Sequence, residues 1–135
     1  MKKIVYLPLD ERPCNYSFVG FLSEGNEKYI LARPDLSIMG DKKIPAKYDE
    51  IKSFLLEECR DADSLIIAVD TLLYGGIIPS RLHYMTVYEV TSRVDVIKDI
   101  KRENPALKIY AFSLVMRCPC YSTDDEEPDY YGKVG

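Results

Sequence analysis

Leu65-Ile66-Ile67-Ala68-Val69, followed at once by Asp70, is the stretch on which the fold turns: five consecutive apolar residues, then a charge. A strand with one face in water alternates apolar and polar residues, whereas a strand covered on both faces is apolar throughout. The run therefore predicts a strand inside a parallel sheet, with Asp70 at its carboxyl end.

Similar runs flank it. Ile4-Val5-Tyr6-Leu7 lies near the amino end, Tyr29-Ile30-Leu31-Ala32 is a second, and Ile109-Tyr110-Ala111-Phe112-Ser113-Leu114-Val115-Met116 is the last. Helical patterns lie between them. Tyr16 to about Glu24 carries Phe18, Val19 and Leu22 on one face, with Gly25 as its stop. From about Ala46 to Arg60, apolar Tyr48, Ile51, Phe54, Leu55 and Cys59 recur at three- and four-residue intervals, the mark of an amphipathic helix. Thr86-Val87-Tyr88-Glu89 is a capping box that opens a helix with Val87, Val90, Val94, Ile97 and Ile100 on one side, ending before Pro105. Asp70 to Met85 reads as a long loop. Its Gly75-Gly76 pair permits positive φ but lacks the spacing of a nucleotide-binding loop.

Strands alternating with helices predict an α/β fold: a parallel sheet of about four strands with right-handed crossovers. Two architectures fit, a Rossmann-like open sheet and the first half of a (β/α) barrel. Residues 1–121 form this βα-repeat unit, and residues 122–135, with Asp124-Asp125-Glu126-Glu127, form an acidic tail. The tail does not finish a fourth βα unit, although a parallel sheet is normally covered on both faces. The expectation is part of a larger fold, the remainder supplied by a continuation of the same protein, a partner or a second copy.

A 47% hydrophobic and 30% charged composition is that of a folded protein. A net charge of -4 without a basic stripe argues against a nucleic-acid partner. The apolar start is cut off by Asp10, Glu11 and Arg12, too early for a secretory signal. Nothing approaches the ~20 apolar residues of a membrane span, so a cytoplasmic location and no membrane partner are expected. Cys14, Cys59, Cys118 and Cys120 lack the spacing of a disulfide scaffold and read as free thiols. Cys118-x-Cys120 is tighter than the usual zinc pair and His83 is the sole histidine, so no metal site is assigned.

In parallel α/β folds ligands bind at the carboxyl ends of the strands, and the charges of this chain gather there. Asp10, Glu11 and Arg12 leave the first strand, Asp70 and Thr71 the third, Arg117 the fourth, and Arg81 lies on the long segment after the third. Asp10 and Asp70 are the candidate catalytic pair. An open sheet brings them within ~5–8 Å, and a barrel separates them by about 10 Å. Close carboxylates divide into an acid and an ionised partner, as glycoside hydrolysis requires, and carboxylates also suit a divalent metal. The structural alternative is a strand-end aspartate that accepts loop amides. Arg12, Arg81 and Arg117 form a candidate anion clamp, or else pair with the two aspartates. Asn15 and Thr71 complete the candidate substrate contacts. Tyr74, Tyr84 and Tyr121 offer stacking surfaces, with core packing as the plainer role.

Three blocks carry a family resemblance: Leu7-Pro8-Leu9-Asp10-Glu11-Arg12-Pro13-Cys14-Asn15-Tyr16, then Asp70-Thr71-Leu72-Leu73-Tyr74-Gly75-Gly76 with Ser80-Arg81, then Val115-Met116-Arg117. In this order they resemble a bacterial family known as domain of unknown function 4127. The resemblance implies that this chain is the N-terminal portion of a longer protein, and it brings no settled activity or cofactor. Cys14, Cys118 and Cys120 match no cysteine pattern associated with the family, which weighs against metal or redox chemistry. The expected function is a hydrolase-type enzyme acting on a polar small molecule such as a carbohydrate. The alternatives are a binding module for an anionic metabolite and a structural part of a longer enzyme.

Overall fold

The computed structural model describes residues 1–115. Four strands, β1 (Lys2–Leu7), β2 (Tyr29–Ala32), β3 (Ser64–Ala68) and β4 (Lys108–Phe112), form one sheet in the order β2-β1-β3-β4. Every neighbouring pair is parallel. In a (β/α) barrel, strands consecutive in sequence would be neighbours. Here the chain runs from β1 to β2 on one side, then crosses back to β3 on the other, so the sheet is the open, Rossmann-like one.

The sheet's two faces differ. Val5, Leu7, Leu65 and Ile67 are fully buried and project to the same side. There they meet Ile51 and Leu55 of α2 (Tyr48–Glu58) and Val96 and Ile100 of α5 (Val87–Glu103), which form one core. The expected capping box is present: Thr86 Oγ1 accepts from Glu89 N, and Thr86 N donates to the Glu89 carboxylate, both at 3.2 Å. Of the expected apolar stripe, Ile100 is buried but Val87 is 83% exposed. Seventeen helical residues span about 25 Å, whereas a five-residue strand spans about 17 Å, so the first turns of α5 overhang the sheet.

The other face carries α1 (Pro13–Ser23), anchored where Tyr6, pointing opposite to Val5 and Leu7, donates from its hydroxyl to Asn15 O at 2.8 Å. α1 starts at Pro13, three residues earlier than its apolar pattern suggests, because proline suits the first helical position, where no amide hydrogen is needed. None of its residues is buried, and Phe18, Phe21 and Leu22 are exposed.

The segment read as a long loop contains two short helices, α3 (Val69–Tyr74) and α4 (Ile77–Leu82). Gly75 lies between them with φ 93°, and Gly76 with φ 145°. A Cβ on Gly75 would lie 2.5 Å from Pro45 Cβ and 2.7 Å from Ala46 N. Glycine is needed there both for the left-handed turn and for the approach of the 45–46 backbone, whose Ala46 amide donates to Gly75 O at 3.0 Å. β4 ends at Phe112, so Ser113, Leu114 and Val115 leave the sheet instead of extending the strand. Met116, Arg117, Cys118, Cys120, Tyr121 and the acidic tail lie outside the described residues.

Candidate functional site

The strand order reverses between β1 and β3, where open α/β sheets form a ligand crevice beyond the strand ends. Leu7 pairs with Ile67, and Asp10 and Asp70 each follow three residues later, so the two aspartates leave adjacent strands at the same level. Both are buried, at 4% and 6% exposure. Their surroundings are different.

Asp10 is surrounded by its own loop. Its carboxylate accepts from Arg12 N at 3.0 Å, from Arg12 Nε at 2.7 Å and from Asn15 Nδ2 at 2.7 Å. These bonds hold the turn that leads from β1 into α1. Burial, and then the Asp10 charge, push the Tyr6 phenol above its ordinary value against the opposing charge of Arg33. Tyr6 thus remains the proton donor that pins Asn15 O. Arg12 and Asn15, the expected substrate contacts, both bind Asp10.

Thr71 stitches the crevice closed. Its hydroxyl lies 2.7 Å from Pro8 O and 2.8 Å from Leu9 O, and its side chain is buried. One hydroxyl proton shared between two carbonyls of the β1 exit ties α3 to that loop, at the point where the two strand ends diverge.

Asp70 faces the other way, toward β4. Its Oδ2 accepts from Leu114 N at 3.0 Å, and Ser113 Oγ makes a long 3.5 Å contact with Oδ1. No lysine or arginine pairs with it among the described residues. A cavity of about 260 Å³ opens beside it, lined also by Tyr74, Ser80, His83, Ser113 and Leu114. Tyr74 and His83 stack with ring centroids 4.3 Å apart. Met85 N donates to His83 Nδ1 at 3.2 Å, which leaves the proton of the neutral imidazole on Nε2. Arg81 lies in the last turn of α4, half-buried, and Arg117 is outside the described residues.

The structure therefore brings Asp70 together with Ser80, His83 and Ser113, none of which was a sequence candidate. Ser113 had a visible signal, as the one polar residue in the run Ile109–Met116. Ser80 stood in the second family block and His83 was the sole histidine, but nothing local tied either to Asp70, because their approach depends on the fold-back of α4 after Gly75-Gly76.

A second cavity, of about 300 Å³, shares Tyr74 and His83 with the first. Tyr48, Tyr84, Lys43 and Arg93 also line it. The Arg93 guanidinium carbon sits 4.0 Å from the Tyr48 ring centroid, and its Nη1 donates to Leu73 O at 2.8 Å. Burial raises the Tyr48 phenol above its ordinary value, opposed by the Arg93 charge. Among the described residues no three His, Cys, Asp or Glu side chains gather closely enough to hold a metal, and no helix is long and apolar enough to cross a membrane.

The profile of one protein family, described as "Protein of unknown function (DUF4127)", matches residues 4–135. No curated protein and no solved structure matches the chain.

Proposed function

The chain belongs to that family, DUF4127, whose description assigns no reaction, and we propose that it is a hydrolase-type enzyme acting on a polar small molecule, carbohydrate-like in its hydroxyls. The observation that supports this reading is Asp70. A carboxylate with 6% exposure, one backbone amide donor and no cationic partner among the described residues is costly to bury. Such a group is common where a reaction needs a proton acceptor facing a cavity. The hydroxyls of Ser80 and Ser113 and the Nε2 proton of His83 supply the donors and acceptors that a hydroxyl-rich ligand pairs with.

In this reading Asp70 takes a proton from water as the water oxygen attacks the electrophilic carbon or phosphorus. The bond to the leaving group breaks, and the proton held by Asp70 passes to that group, so the two products share the H and OH of water. His83 Nε2–H donates a hydrogen bond to the developing negative charge. Asp10 is a positioning residue: with Arg12 and Asn15 it shapes the β1 exit to which Thr71 ties α3, and α3 carries Asp70.

One observation favours a second reading, a binding module that holds its ligand unchanged. Asp10 is occupied by its own loop, so the cavity has a single carboxylate where most glycosidases use two. A panel of nitrophenyl glycosides, esters and phosphates separates the readings. The hydrolase reading expects turnover of at least one, reduced about a hundredfold or more in Asp70→Asn with the melting temperature held within about 3 °C. Equal turnover in that variant overturns the assignment. A compound that stabilises the chain and is recovered intact throughout favours the binding module.

A further inference from the structure

The cavity at Asp70 is small. At about 260 Å³ it falls just below the roughly 300–1,000 Å³ of ordinary small-molecule sites, enough for one end of a ligand. The Tyr74–His83 stack that bounds it also bounds the second cavity, of about 300 Å³, and the two together fall within that range. The far cavity differs in chemistry: it holds two cations, Lys43 and Arg93, among tyrosine rings and apolar side chains.

Arg93 decides what that chemistry recognises. It is half-buried on α5, its plane held against Tyr48 and one of its N–H groups bound to Leu73 O. No carboxylate pairs with it among the described residues, unlike Arg12, Arg60 and Arg102. A guanidinium carries five N–H donors, and stacking fixes the direction of those that remain. An immobilised cation with spare donors, lining a cavity, suits a carboxylate or a phosphate.

Resting on the reading of Asp70 as the reacting carboxylate, we propose that Arg93 heads an anion subsite, so that the substrate is a hydroxyl-bearing ring with an anionic substituent. The ring lies along the Tyr74–His83 stack, the reacting bond faces Asp70, and the carboxylate or phosphate reaches Arg93. The aromatic wall supplies a stacking surface for a sugar or aryl ring without demanding one identity.

Calorimetric titration of the full chain with methyl glucoside, methyl glucuronide and glucose 6-phosphate tests this. The charged probes should bind about tenfold or more tightly than the neutral one. Arg93→Gln should remove most of that preference while leaving the neutral probe's affinity within about twofold. Arg93→Lys, which keeps the charge and loses the planar fork of N–H donors, should lower the preference about threefold. The relative strengths of the two charged probes separate a carboxylate ligand from a phosphate. If all three bind equally in an Asp70-dependent way, or if both variants keep the anion preference, the subsite is overturned while the Asp70 reading stands. If Asp70→Asn alters the binding of none of the probes, the Asp70 reading falls and the subsite with it.

Discussion

Thr71 and Asp70 are neighbours in the chain with opposite duties. The Thr71 hydroxyl satisfies backbone carbonyls of Pro8 and Leu9, whereas the Asp70 carboxylate opens onto a cavity. Thr71→Val keeps the shape and removes the donor, leaving buried carbonyls with one partner fewer. Urea denaturation should show a loss of about 1–3 kcal/mol. Asp70→Asn should cost much less stability, because an amide oxygen still accepts from Leu114 N. Cys59 gives a third residue-level expectation. Burial pushes its thiol up to about 12, with the Lys3 charge opposing, so it remains a protonated, unreactive thiol. Iodoacetamide at pH 8 followed by peptide mapping should find Cys59 unmodified in the native chain and alkylated after denaturation. The roles of these residues were only partly legible beforehand. A strand-end aspartate announces itself in sequence, but whether it serves its own loop, as Asp10 does, or a cavity, as Asp70 does, depends on which neighbours the fold brings to it.

At the scale of elements, the α3–Gly75-Gly76–α4 corner matters most, since it carries Asp70 at one end and brings Ser80 and His83 back toward it. Gly75→Ala forces a side chain into a left-handed conformation, at about 1–2 kcal/mol, and drives Cβ into the backbone near Ala46. A total destabilisation of about 2 kcal/mol or more is expected, read by thermal or urea unfolding. The same variant should weaken ligand binding at Asp70 even where it remains folded, because α4 would shift. The local signals of α2 and α5 agree with their surroundings: three- and four-residue spacing for one, a capping box for the other. α3 and α4 are six residues each, too short for apolar periodicity to declare a helix, which is why the segment reads as a loop.

For the whole molecule, the unequal covering of the two sheet faces sets where stability resides. α2 and α5 bury the centre of one face, at Val5, Leu7, Leu65 and Ile67, and Leu55→Ala, which removes a fully buried side chain from that core, should cost about 2–5 kcal/mol. Phe21, on α1, is 62% exposed, and Phe21→Ala should cost under about 0.5 kcal/mol; comparable losses for the two would contradict this division. Tyr110 and Phe112 of β4 stay exposed on the α1 side, where, among the described residues, α1 packs next to β2. By itself the sequence determined the α/β class, the parallel strands and the carboxyl-end address of Asp10 and Asp70. Continuous apolar runs and capping chemistry act over a few residues, and they hold wherever the segment packs. The choice of open sheet over barrel was decided by tertiary structure, as were the meeting of Asp70 with Ser80, His83 and Ser113 and the shared Tyr74–His83 wall. Each of these depends on which side of β1 the returning chain settles and on a corner at Gly75-Gly76, long-range outcomes of packing that no local pattern encodes.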